Sequence, residues 1–185
     1  MFLTIAYLAP MTGITYKEKM KYITTIVVDF DGVLTNGTVF LMPPHDFVRT
    51  MNVRDSFAIQ HAVKMGFRFA VITGGNNEVV KERMKYLGVT DVFLRSADKL
   101  TVYEQYKIDN NLEDREILYM GDDLPDFPVL KTVGISTCPN DAADEIKGIV
   151  DYISIKNGGE GCVRDVIEQV LKIHGKWFSD EAFKW

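Results

Sequence analysis

Residues 22–30 read YITTIVVDF and run straight into Asp31-Gly32. A short apolar, β-branched run closed by a glycine suits a strand buried on both faces. Working outward, residues 38–42 and 47–51 flank Pro43-Pro44-His45-Asp46 and read as a hairpin with a proline-fixed turn. Residues 55–65 carry Phe57, Ala58, Ala62 and Met65 at helical spacing and stop at Gly66. Further strands are expected at 67–73, 91–94, 116–120, 133–136 and 150–154. Helices are expected at about 77–87, from about 98, near 125–131 and near 141–147. A last helix has Val163, Val166, Ile167, Val170 and Leu171 on one face and ends at Gly175. Apolar strands alternating with helices mean a parallel sheet covered on both faces. The expected fold class is α/β, a doubly wound parallel sheet.

The chain has 185 residues, enough for one domain whose core needs no disulfide or structural metal. With 46% apolar and 25% charged residues it is an ordinary globular sequence, not a disordered or fibrous one. Its net charge of −5 disfavours wrapping a phosphate backbone, so no nucleic-acid partner is expected. Cys138 and Cys162 lie in no metal-binding spacing and read as two small buried thiols in a reducing, cytoplasmic compartment. The opening MFLTIAYLAP is too short to span a bilayer and lacks a basic flank, so no membrane partner is expected. Residues 1–20, with the solvated charge run KEKMK at 17–21, read as an extension ahead of a domain at 21–175. His45, His61 and His174 form no spaced cluster and read as surface or helix-face residues. The eight methionines read as scattered core filling.

In such sheets the chemistry sits at the carboxyl ends of the strands. Three expected strands end in polar groups there: Asp29-Phe30-Asp31-Gly32, Thr73-Gly74-Gly75, and Gly121-Asp122-Asp123 with Asp126 close behind. Asp29 and Asp31 are two apart, so in extended chain both point to one face. Carboxylates so placed repel unless a cation or proton lies between them. Oxygen-only donors suit a hard ion such as Mg²⁺. Around a metal-phosphate site a carboxylate could attack phosphorus and a second could protonate the leaving alcohol. Thr73 with the Gly74 and Gly75 amides could bind phosphate oxygens at the start of the next helix. Lys99, at another helix start, could offset charge on the transferring group.

In this order Asp29-Phe30-Asp31-Gly32-Val33, Thr73-Gly74, Lys99 and Gly121-Asp122-Asp123 resemble the four motifs of the haloacid dehalogenase (HAD) superfamily of phosphatases. That resemblance implies Asp29 as nucleophile and Asp31 as acid/base. It also implies Mg²⁺ held by Asp29, the Asp31 carbonyl and Asp122, with Asp123 and Asp126 steadying the metal and Lys99. The longer stretches DFDGVLTNG at 29–37, NVRD at 52–55, GDDLPDFPV at 121–129 and GGEG at 158–161 resemble the 3-deoxy-D-manno-octulosonate 8-phosphate (KDO 8-phosphate) phosphatases. The likeness covers about 21–178. It implies a homotetrameric, cytoplasmic enzyme releasing KDO for lipopolysaccharide synthesis. It also implies a substrate site lined by Asn52, Val53, Arg54, Asp55 and Ser56, with Arg83 and Lys99 near phosphate or sugar acid. Many members carry Arg where this chain has Gly75, and another where it has Gln60. Two alternatives stand beside this one: a phosphatase of nine-carbon, sialic-acid-like 9-phosphates, and an inactive oligomerisation module of the same fold.

Only the hairpin at about 38–51 and one helix separate Asp31 from Thr73, too little for a cap domain. A lone hairpin is marginal, so Val39, Leu41, Phe47 and Val48 want a partner surface. Gly158–Gly161 reads as a pliable loop. The tail at 176–185, with Trp177, Phe178, Phe183 and Trp185, reads as reaching a neighbouring subunit.

Overall fold

The computed structural model describes residues 15–42 and 46–184. Its centre is β1 (Thr25–Val28), buried at all four positions. Pairing sets the strand order around it. On one side lies β4 (Arg68–Ile72), then β5 (Asp91–Phe93); on the other lie β6 (Ile117–Met120), β7 (Ile135–Cys138) and β8 (Tyr152–Ile153). All five pairings are parallel, with Val28 opposite both Val71 and Met120. The chain therefore leaves β1 toward β4 and returns across it to β6, and the carboxyl end of β1 lies where these directions part.

Alternation along β1 divides the core. Ile26 and Val28 face α2 (Val53–Lys64), α3 (Val79–Tyr86) and α7 (Cys162–Ile173), in one cluster with Ala58, Ile59, Met84 and Val166. Val27 faces the other layer, built from α4 (Lys99–Asp109), α5 (Phe127–Leu130) and α6 (Asp144–Lys147), with Tyr103, Leu130 and Ile146. The expected doubly wound α/β fold is present, and among the described residues there is no cap domain. β2 (Phe40–Met42) and β3 (Asp46–Val48) form a separate antiparallel pair. The hairpin turn at 43–45 lies outside the described residues.

Several boundaries differ from the sequence reading. β7 begins two residues later than expected, because its register is set by Leu118 opposite Ile135 while Gly134 hydrogen-bonds the Asp114 carbonyl. The α6 helix starts at Asp144, since Asp141 instead accepts the Gly158 amide. Packing begins ahead of residue 21. A helical turn at Tyr16–Lys19, capped by Thr15, leads into Met20, which is fully buried. Tyr16 stacks on Tyr152, and Lys19 pairs with Asp151 at 2.8 Å. His61 lies on a face of α2 and is buried, its Nε2 3.1 Å from the Lys176 and Trp177 carbonyls. Cys138 and Cys162 are both buried and unpaired, as expected. No described helix is long and apolar enough to cross a membrane.

Candidate active site

β1 delivers Asp29 to the carboxyl edge of the sheet, where its amide bonds the Met120 carbonyl at 2.9 Å. Phe30 turns into the core, and the chain then coils, with the Leu34 and Thr35 amides both on the Phe30 carbonyl. Gly32 takes φ +86°, and a β-carbon there would overlap the Asp122 carboxylate. Glycine is needed for both reasons.

Lys99 opens α4, whose N-cap Asp98 accepts the Thr101 amide, and its side chain runs inward. Its Nζ lies 3.0 Å from Asp29 Oδ2 and 2.7 Å from Asp126 Oδ1. Asp126 is further engaged: the Tyr119 hydroxyl donates to Oδ1, and the Asp122 amide reaches Oδ2 at 3.3 Å. One oxygen each from Asp29, Asp122 and Asp126 lies within 4.8 Å of the others. Burial and the neighbouring Asp126 charge push both Asp29 and Asp122 up to about 7. Burial alone would lower Lys99, but Asp29 and then Asp126 outweigh it and hold the ammonium above its usual value.

These groups meet in a cleft of about 340 Å³ with Asp31, Thr73, Gly74, Gly75, Ser96 and Asp123 at its walls. Asp29 Oδ1 is buried with no partner. Asp126 is committed to Lys99, Tyr119 and backbone amides, so Asp29 and Asp122 remain to take a cation. An unpartnered carboxylate oxygen among acids that otherwise hold protons fits a hard divalent ion such as Mg²⁺.

Other expected residues fall elsewhere. Gly74 and Gly75 line the cleft but do not open a helix: α3 begins only at Val79, and the Gly75 amide bonds Thr73 Oγ1 at 3.1 Å. Asp123 is exposed and caps the short turn at Leu124–Asp126 without touching Lys99. Asp55 and Ser56 are fully buried in α2. Asp55 Oδ1 accepts the Arg164 amide at 2.7 Å at the start of α7, while Ser56 Oγ accepts from Arg83 Nη2 at 2.9 Å. Asn52 caps α2 and reaches the Gly159 carbonyl; Val53 is exposed. Arg54 lines a polar groove with Lys156, Glu160 and Arg164, and Arg83 lines an apolar cavity beside the cleft. Sequence periodicity placed Asp55 and Ser56 on a helix but not on its hidden side.

Gly158–Gly161 is not a pliable loop. A β-carbon at Gly158 would overlap the Gly32 carbonyl oxygen, and the Gly159 amide bonds the Val33 carbonyl at 2.9 Å. The loop is packed against the backbone of residues 32–36, directly after Asp31. Two contributors were missed in the sequence. Tyr119 is a phenol inside an apolar strand, a readable signal; Arg49 pairs with Asp31 across 18 residues, which no local pattern announces.

A family model described as haloacid dehalogenase-like hydrolase matches residues 85–167. The 3-deoxy-D-manno-octulosonate 8-phosphate phosphatase of Escherichia coli (strain K12) is 32% identical over 164 residues, 89% of this chain and 86% of that protein. The crystal structure of the Yersinia pestis phosphatase of that name superposes with a TM-score of 0.85 at 28% identity, covering 86% of each chain. The Moraxella catarrhalis phosphatase of that name, in complex with magnesium ion, phosphate ion and KDO, superposes with a TM-score of 0.82 at 30% identity. That match covers 85% of this chain and 90% of that one.

Proposed function

The chain belongs to the haloacid dehalogenase-like hydrolases, in their 3-deoxy-D-manno-octulosonate 8-phosphate phosphatase family, and from that premise we propose that it hydrolyses KDO 8-phosphate to KDO and phosphate. The observation that carries the reading is the buried, unpartnered Asp29 Oδ1 beside Lys99 and Asp122 in a cleft bordered by Thr73. A catalytically inactive scaffold would need none of these groups together.

Asp29 and Asp122, with the Asp31 carbonyl of the family pattern, would hold Mg²⁺. The ion would supply positive charge to the phosphoryl oxygens. Asp29 attacks phosphorus as the bond to the sugar oxygen breaks, leaving an aspartyl phosphate. Asp31 gives its proton to the departing sugar oxygen and then takes one from the attacking water. Lys99, held by Asp126, favours the ionised form of Asp29 and aims it, and it meets charge on the transferring group. Thr73 Oγ1 accepts from the Gly75 amide, so its own hydroxyl proton is left to donate toward phosphate.

The same reading makes the protein a homotetramer. Its support is the apolar surface of the hairpin, where Phe40, Leu41, Met42 and Val48 are exposed. Of the tail at 176–185, the part from Phe178 onward is proposed to reach a neighbouring subunit, supported by Phe178 and Phe183, which are exposed and meet edge to face. Two buried thiols support a reducing, cytoplasmic setting.

The test is phosphate release from KDO 8-phosphate, nine-carbon 9-phosphates and hexose phosphates, with Mg²⁺ and with excess chelator. KDO 8-phosphate should show the highest kcat/KM, and chelation should abolish turnover of all of them. A nine-carbon substrate turned over more efficiently would replace the proposed one. Full activity in chelator would refute the site as drawn.

A further inference from the structure

Asp31 is held from the hairpin. Arg49 follows β3 directly, and its guanidinium grips both oxygens of the Asp31 carboxylate, Nε toward Oδ1 and Nη2 toward Oδ2 at 3.0 Å. Such a two-point pair fixes the plane of the carboxylate as well as its position. The arginine is the more enclosed partner, 18% exposed against 33% for Asp31. The two side chains also face different spaces. Asp31 lines the carboxylate cleft, whereas Arg49 lines the neighbouring cavity of about 400 Å³ with Phe30, Met51 and Arg83. Arg49 therefore reaches the reaction through Asp31, not through the phosphate. Thr35 Oγ1, 3.4 Å from the same Oδ1, adds only a long contact.

We propose that Arg49 is a positioning residue for the proton-transfer step: it aims the Asp31 carboxyl at the oxygen leaving phosphorus, so the posture of the hairpin sets the acid/base geometry. The inference rests on the phosphatase reading above. In the first step the Asp29 oxygen bonds to phosphorus, the bond from phosphorus to the alkyl oxygen breaks, and the Asp31 proton moves to that oxygen. Asp31 is left as a carboxylate, whose new charge the guanidinium meets in place. In the second step water attacks phosphorus, Asp31 takes a proton from it, and the bond from phosphorus to Asp29 breaks to release phosphate. Loss of Arg49 leaves every reacting group present but lets the proton donor swing. An ester with a poor, alkoxide leaving group suffers from that; one with a stable phenolate leaving group hardly needs the proton.

The experiment compares kcat/KM, with saturating Mg²⁺, for KDO 8-phosphate, glucose 6-phosphate and p-nitrophenyl phosphate. The chains compared are the wild type, Arg49→Met, Arg49→Lys, Asp31→Asn and Asp31→Asn/Arg49→Met. Arg49→Met should lower the ratio of either alkyl ester to the aryl ester by at least about tenfold, a fraction of what general acid catalysis supplies. Arg49→Lys, which keeps charge but not the fork, should recover part of that ratio. In the Asp31→Asn background the second change should leave the ratio as it is. Equal losses on all three substrates would mean a structural role and overturn the inference. So would a loss confined to KDO 8-phosphate, which would make Arg49 a ligand for the sugar carboxylate. An effect undiminished in the Asp31→Asn background would overturn it too. A wild type inactive on every ester would sink the phosphatase reading, and the inference with it.

Discussion

Asp29 sits under opposing demands. It is 7% exposed, next to Asp126 and close to Asp122, with one oxygen on Lys99 and the other on nothing. Burial and the acid neighbours favour a neutral carboxyl, and Lys99 favours the anion that can attack. Asp29→Asn keeps the shape and removes the attacking charge. Turnover of KDO 8-phosphate should fall by at least about 10³, on the order of 4 kcal/mol of barrier. The variant should stay folded, because less repulsion toward Asp122 and Asp126 offsets the weakened pair with Lys99. Steady-state rates with a thermal melt check both halves; retained turnover would refute the covalent route.

At the scale of elements, Asp55 is a strut between α2 and α7. It takes the Arg164 amide where α7 begins, next to the glycine loop that packs on the backbone just after Asp31. Its Oδ2 is buried without a partner, and burial pushes the group up to about 6 from an ordinary 3.8. A carboxyl raised in the folded state favours folding when protonated. Its contribution is therefore complete below about pH 3.8 and is lost as pH rises through about 6. The loss amounts to roughly 3 kcal/mol at the most. Asp55→Asn cannot ionise, so its melting temperature relative to wild type should climb between about pH 4 and 6 and level off above 7. A difference that stays flat over that range would remove Asp55 as the cause. The side chain points inward because the first turn of α2 packs on the start of α7.

For the whole molecule, the tail divides into two parts. Trp177 stands edge-on to Phe57 and His61, with Arg164 5.1 Å from its ring, and Lys176 Nζ bonds the Met65 carbonyl at 2.9 Å. From Phe178 onward the chain presents exposed aromatics instead. Deleting residues 179–185 should leave the melting temperature within about 2 °C of wild type and yet raise KM for KDO 8-phosphate more than for p-nitrophenyl phosphate. Deleting from Lys176 should also destabilise the fold, since it uncovers Phe57 and His61. Sedimentation of the intact chain should show a closed tetramer. Equal effects on both substrates, or a fully active monomer, would count against a tail that completes a neighbour's site.

The sequence by itself determined the alternating fold and the main acids of the site, and for a local reason. A parallel sheet buried on both faces writes itself as apolar runs, and the polar residues that end those runs, Asp29, Thr73 and Asp122, must emerge along one edge. Lys99 at a helix start was legible in the same way. Only the tertiary structure decided which acid secures Lys99, that Asp55 and Ser56 are buried between helices, and that Gly158 and Gly159 are packed rather than pliable. It alone brought Arg49 to Asp31. Each of these depends on contacts between segments far apart in the chain, where the close approach of one backbone or side chain to another sets the outcome and no spacing along the sequence records it.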